Sequence, residues 1–180
     1  MKLCALVLVM ILLVSFSGCT LVLVNTSGQE KHMFNSVTYS DKEISDTVLQ
    51  QLIAAISEKD EQALYQMFSP NVIRSCTDFD ENVAGLLEFW KGDIVSKKRY
   101  GPGSEAKKES NVYRKDIFVS YDICTDEGSY RLAFRFCVAD SMDAENMGIT
   151  SLYIMKQDGS NPNRAYWGNS GEWIYGVNIE

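Results

Sequence analysis

Apolar residues recur at helical spacing in the first half of the chain and at alternate positions in the second. Ser40 and Glu43 form a capping box, and Ile44, Val48, Leu52, Ala55 and Ile56 follow at intervals of three and four. Glu58-Lys59-Asp60 interrupts the pattern, and Asp60 is placed to cap a second, shorter helix carrying Leu64, Met67 and Phe68. Ser69-Pro70 ends that helix, because the residue before a proline is pushed out of the helical region. Asp80 is placed to cap a third, with Val83, Leu86, Leu87 and Trp90 inward and Gly92 just past its end.

Beyond Gly92 the period shortens towards two. Asp93–Ser96 reads as a short strand, and 97–110, charged and built around Gly101-Pro102-Gly103, reads as an exposed loop or ribbon. Segments 113–124 and 129–138 form the clearest hairpin. With a turn centred on Asp126-Glu127, residues whose numbers sum to 253 face each other. Ile117 then meets Phe136, Val119 meets Phe134, Tyr121 meets Leu132 and Ile123 meets Tyr130. On the other face Asp122 meets Arg131, Phe118 meets Arg135 and Ser120 meets Ala133. One register gathers every apolar pair on one side, so the pairing is well specified. Residues 149–157 supply another strand. Glu172 to Val177 supply the last, beyond a loop of Asp158-Gly159-Ser160-Asn161-Pro162. Helices followed by strands make an α+β plan, three N-terminal helices packed on a curved antiparallel sheet.

The chain has 180 residues, 46% hydrophobic and 23% charged, which excludes collagen-like, low-complexity and disordered classes. Seventeen basic against twenty-four acidic residues give a net charge of −7 and argue against a nucleic-acid partner. Part of the apolar share has another purpose. Lys2 precedes an uncharged run from Leu3 to Val14, short for a membrane span and typical of a secretory segment. Ser15-Phe16-Ser17-Gly18-Cys19 follows.

That segment resembles a bacterial lipoprotein signal, matched at Ser17, Gly18 and Cys19; Phe16 stands where an aliphatic residue is usual. The resemblance implies a signal peptide over 1–18, acylation of Cys19, a flexible tether over 19–39, and a domain over 40–180 held at the outer face of the cell membrane. An uncleaved anchor running on through Leu21–Val24 and an ordinary cleaved signal are the alternatives. Loss of residues 1–18 removes Lys2 and no acid, leaving sixteen basic and twenty-four acidic residues, a net −8. Cys76, Cys124 and Cys137 then remain, an odd number, read as free thiols.

The domain carries a second resemblance. Ile53–Phe68, with Lys59-Asp60, Ala63-Leu64 and Phe68-Ser69, resembles the opening of nuclear-transport-factor-2-like (cystatin-like cone, SnoaL-like) domains. Leu86–Ser96, with Phe89, Lys91-Gly92-Asp93 and Ile94-Val95-Ser96, is similar to an uncharacterised bacterial lipoprotein family of that fold. Gly101-Pro102-Gly103 and Asn146-Met147-Gly148 fit too. This likeness implies a cone-shaped domain with a ligand space between helices and sheet, in members that are either enzymes or binding modules.

Chemistry is sparse along the chain. The domain contains no histidine, His32 lying in the tether, and shows no CxxC pair, serine elbow or phosphate loop. No metal, cofactor or catalytic residue is therefore expected. The inward hairpin face offers only the hydroxyls of Tyr121 and Tyr130 for proton transfer, whereas Asp116, Asp122, Arg131 and Arg135 fall on the other face. Tyr121, Tyr130, Phe134, Phe136, Trp90 and Trp173 are the candidate pocket residues. Lys97-Lys98-Arg99 with Lys107-Lys108 is the one basic cluster, a solvated loop or a contact for anionic headgroups or wall polymer. The expectation is a noncatalytic module for a small apolar or aromatic ligand or a protein partner. An isomerase or dehydratase is the first alternative. The second is an envelope protein forming a homodimer through Phe118, Ala133 and Arg135.

Overall fold

The structure, a computed structural model, describes residues 39–109, 112–157 and 174–179. The signal segment, Cys19, the tether up to residue 38, the 158–162 loop and Trp173 lie outside them. No helix among the described residues is long and apolar enough to cross a membrane.

Helix α1 (Asp41–Glu58) starts at the Ser40–Glu43 capping box, both reciprocal bonds being present. It ends at Lys59, whose φ of 54° places a non-glycine residue in the left-handed region. Helix α2 (Glu61–Met67) is capped by Asp60, whose side chain accepts from the Ala63 N–H at 2.9 Å. Ser69-Pro70 ends α2 as expected, and it also begins a helix. Ser69 accepts from Val72 N–H and Pro70 occupies the first turn of α3 (Pro70–Ser75), since that position has no need of an N–H. Helix α4 (Phe79–Phe89) buries Phe79, Val83, Leu86 and Leu87. Asp80 is not its cap; it lies in the first turn and accepts the Tyr65 hydroxyl.

Five strands follow among the described residues: β1 (Ile94–Glu109), β2 (Val112–Thr125), β3 (Ser129–Asp140), β4 (Gly148–Lys156) and β5 (Gly176–Ile179), hydrogen-bonded in chain order. The stretch 97–110, expected as an exposed loop or ribbon, is for the most part strand β1, which also takes in the short strand expected at 93–96 and pairs with β2 from Ile94–Thr125 to Glu109–Val112 with a shift between Tyr100 and Gly103. Between β2 and β3 every expected pair is present, from Ile123–Tyr130 to Ile117–Phe136.

The expected architecture, three helices on a curved antiparallel cone, is overturned on two counts. Four helices, not three, stand among the described residues, because Ser-Pro both stops and starts one. The sheet is mixed, because β5 runs parallel to β4, with Leu152 opposite Val177 and Ile154 opposite Ile179. A parallel return needs a crossover of a dozen or more residues, and the chain between Lys156 and Gly176 is long enough to make one. The composition remains α+β.

One face of the sheet and the helices share a core of Ile117, Val119, Tyr121, Ile123, Leu132, Phe134, Leu152, Ile154 and Val177 with Val48, Leu52, Leu64 and Leu86. Phe68 and Phe79 meet edge to face at 4.9 Å within it. The α2–α3 link also docks by its backbone: Ser69 N–H donates to the Ile149 carbonyl at 3.0 Å, making a parallel bridge of Phe68 with Ile149. Gly148 permits this approach. Its φ is 121°, and a Cβ there would lie 2.8 Å from Ser69 N and 2.9 Å from Met67 O. Both obstacles are backbone, which cannot swing aside. Gly148→Ala is expected to destabilise the domain by about 2–4 kcal/mol, read as a lowered urea midpoint with unchanged slope.

Candidate functional site

The anticipated pocket residues are packed together rather than spread around an opening. Tyr121, Tyr130, Phe134 and Phe136 are all buried in the core; Tyr121 stacks on Phe134 with ring centres 6.2 Å apart. Trp173 lies outside the described residues. Trp90 differs from the other four because it also lines a cleft.

That cleft, of about 290 Å³, lies where the end of α1, the segment after α4 and the β2–β3 turn converge, and Ile56, Ser57, Lys59, Trp90, Gly92, Asp93, Asp126 and Glu127 line it. Local backbone chemistry builds it. Lys59 occupies its left-handed cap, turning the chain away from α1. Asp93 N–H donates to Asp126 Oδ1 at 2.7 Å, and Asp126 N–H donates back to the Asp93 carbonyl at 3.0 Å. Gly92, at φ 79°, lets the two segments close, since a Cβ would fall 2.3 Å from Asp126 Oδ1. Trp90 stacks on Tyr130 at 4.9 Å and 18°. The Tyr130 hydroxyl is satisfied, accepting from Lys91 N–H at 3.0 Å and donating to the Phe89 carbonyl at 3.4 Å. The Trp90 indole N–H is not: the residue is 5% exposed and its Nε1 is buried without a partner.

A second polar group sits where α1 crosses β1 and β2. Tyr121 donates to Asp46 Oδ1 at 2.8 Å, and Arg99 Nη2 donates to Ser45 Oγ at 2.7 Å with its Nε 3.9 Å from Asp46. A carboxylate thus does reach the inner face, supplied by the helix rather than the hairpin. Burial would raise the Asp46 carboxyl, but bonds from Lys42 and Tyr121 and the Arg99 charge hold it below the usual range. Burial first, then the bond to Asp46, pushes the Tyr121 hydroxyl up to about 12. The two groups are driven apart, so near neutral pH the tyrosine keeps its proton and the aspartate stays ionised. The group acts as a clamp between layers. Asp41 repeats the device at the start of α1: burial raises its carboxyl, and the bond from Lys115 Nζ at 2.5 Å leads the contacts that lower it overall.

Arg114, Asp116, Asp122, Arg131 and Arg135 lie on the sheet face away from the helices, as the alternation requires. Arg131 Nε is 2.8 Å from Asp122, Arg114 Nε 2.8 Å from Asp116 and Arg135 Nη2 3.3 Å from Asp116. Ala133 is buried on that face and Phe118 partly so. Cys76, Cys124 and Cys137 are free thiols, and among the described residues no group of His, Cys, Asp or Glu is arranged to hold a metal. Sequence reasoning missed Asp46, Arg99 and the cleft's Asp93, Asp126 and Glu127. Arg99 could have been found by reading 97–110 as a strand, whereas the cleft arises from the meeting of three loops and leaves no periodic trace.

Because the Asp41 and Asp46 carboxyls are held below their unfolded values, the stability they confer is present above about pH 4 and disappears as pH falls through the lower folded values. The urea midpoint should therefore drop between about pH 5 and 3. Asp46→Asn should flatten part of that slope. Tyr121→Phe should cost about 1 kcal/mol at neutral pH and also leave a shallower acid profile.

No curated protein matches the chain. Residues 51–157, from the middle of α1 to just past β4, match a family model that takes in Trp90, the cleft and Tyr121 and leaves out Asp46 and β5. With more than half of its length matched, the chain belongs to the family described as a domain of unknown function, DUF5104.

Proposed function

We propose that the chain is a lipoprotein acylated at Cys19 and displayed at the outer face of the cell membrane, where its folded domain is a noncatalytic binding module. The export segment Leu3–Val14 followed by Ser17-Gly18-Cys19 supports the address. The observation that carries the binding reading is Trp90. A buried donor without a partner costs about 1–3 kcal/mol, and groups left in that condition mark functional sites or bound solvent. Here the group belongs to an aromatic side chain that lines a cleft. The lining joins Trp90 and Ile56 to Ser57, Lys59, Asp93, Asp126 and Glu127, which suits a small ligand with a flat apolar part and a polar edge. The clamp chemistry of Tyr121 and Asp46 favours this reading over an isomerase or dehydratase.

Two experiments test it. Cells expressing the full chain should incorporate labelled palmitate, and Cys19→Ala should abolish the label; equal labelling of both overturns the anchor. For binding, thermal melting of the protein is run against a library of small aromatic and amphipathic compounds. A true ligand at 100 times its dissociation constant stabilises by about 2.7 kcal/mol, a rise of about 5 °C or more. Trp90→Phe, which loses packed volume beside Tyr130, should melt below the parent without ligand and should also lose most of that rise. A library without any shift overturns the module.

A further inference from the structure

The protein carries a net charge of −7, yet four of its lysines, Lys97, Lys98, Lys107 and Lys108, are exposed on the single strand β1. Among the described residues β1 is the edge of the sheet, bonded to β2 alone. Glu105 and Glu109 share the strand. Glu105 is turned towards Arg135 at 3.5 Å, and Glu109 lies 3.8 Å from Lys107. Lysines outnumber them two to one along this edge.

A second observation concerns where the chain enters the domain. Asp41, the first residue of α1, accepts from Lys115 Nζ at 2.5 Å, and Lys115 stands opposite Ala106 in the β1–β2 ladder. The point at which any segment from Cys19 reaches the fold is therefore next to Lys107-Lys108. Lys97-Lys98 lies about nine residues along the same edge, roughly 30 Å away.

We infer that the β1 edge is the membrane-facing side of the anchored domain, its four lysines resting among anionic lipid headgroups. The inference rests on the acylation of Cys19 proposed above. An anchor keeps the domain at high local concentration beside the surface, so weak contacts suffice to orient it. The negative surface potential attracts basic segments only within about a Debye length and repels the acidic remainder. Of the orientations the entry point allows, edge-down brings the lysines within that range. Lysines on an edge strand also discourage strand addition by another chain, a role that needs no lipid and does not respond to headgroup charge.

Amine footprinting separates the two roles. The purified full chain is bound to vesicles of phosphatidylcholine alone or with one-third phosphatidylglycerol, and acetylation of each lysine is followed by peptide mass spectrometry. On the anionic vesicles Lys97, Lys98, Lys107 and Lys108 should label at least threefold more slowly than on neutral ones, with Lys59 and Lys156 unchanged. High salt should restore their rates. Equal rates at the four lysines on both vesicles overturn the docking, as does slowing of all lysines alike. Protection by soluble polyphosphate but not by vesicles also overturns it, in favour of a free polyanion. The mass of the Cys19 peptide is read from the same digest. A chain without acyl mass overturns the anchor, and the footprint still reports on the surface when the same chain is mixed with the vesicles.

Discussion

In the β2–β3 ladder, Ile123 to Ile117 face Tyr130 to Phe136 in one register, and a slip of one residue would carry the four inward side chains of one strand to the opposite face. The remaining structure follows from that constraint. β4 extends the same apolar surface by setting Ile154 against Leu132 and Leu152 against Phe134, and β5 extends it again with Val177 and Ile179. The helices have one continuous face to cover, and they cover it with Val48, Leu52, Leu64 and Leu86. Past Ile117–Phe136 the register breaks between Lys115 and Asp116. Beyond the break the inner partner of α1 is no longer apolar but Lys115, matched by Asp41.

Legibility in the sequence tracks how local each determinant is. The capping box at Ser40, the cap at Asp60 and the β2–β3 pairing all rest on residues near one another in the chain, and the structure has each. The start of β1 is legible at 93–96, but its extent through 97–109, left between loop and ribbon, is not, for a physical reason. An edge strand hardly covered by the helix layer has no apolar alternation to read, and Lys97-Lys98-Arg99 followed by Gly101-Pro102-Gly103 looks the same in a loop. Ser69-Pro70 was read for the helix it ends, although its residue types equally suit a helix start. The parallel direction of β5 depends on where a long connection returns, which no spacing encodes. The cleft required three separate loops to meet, with Gly92 against Asp126, and its composition alone suggests only turns.

Charge is handled differently on the two sides of the sheet. On the inner side α1 supplies two carboxylates that are answered by donors from the sheet, Asp41 by Lys115 and Asp46 by Tyr121. On the outer side the strands pair among themselves, Asp122 with Arg131 and Asp116 with Arg114 and Arg135. Asp116 is the most deeply buried of these carboxylates, so losing its arginine partners would leave an uncompensated charge behind. Tyr121 and Asp46 thus hold α1 to the sheet, while Trp90 at the cleft has a buried N–H without a partner and the β1 lysines are exposed.

α1 runs from the Lys107-Lys108 end of β1 to the cleft. The helix begins beside Lys115, where the chain enters the domain, and ends at Lys59 on the cleft, and its 18 residues make it about 27 Å long. The cleft is lined by the end of α1, the Trp90–Asp93 segment and the β2–β3 turn, and by nothing between Lys97 and Lys108. Lys97 and Lys98, however, follow the cleft residue Asp93 by four and five positions, so a domain resting on its β1 edge would hold the cleft near the contacting surface. Under the two proposals above, substitution of Lys107 or Lys108 would bear on how the domain sits far from the cleft, whereas substitution of Lys97 or Lys98 would bear on a surface that adjoins it.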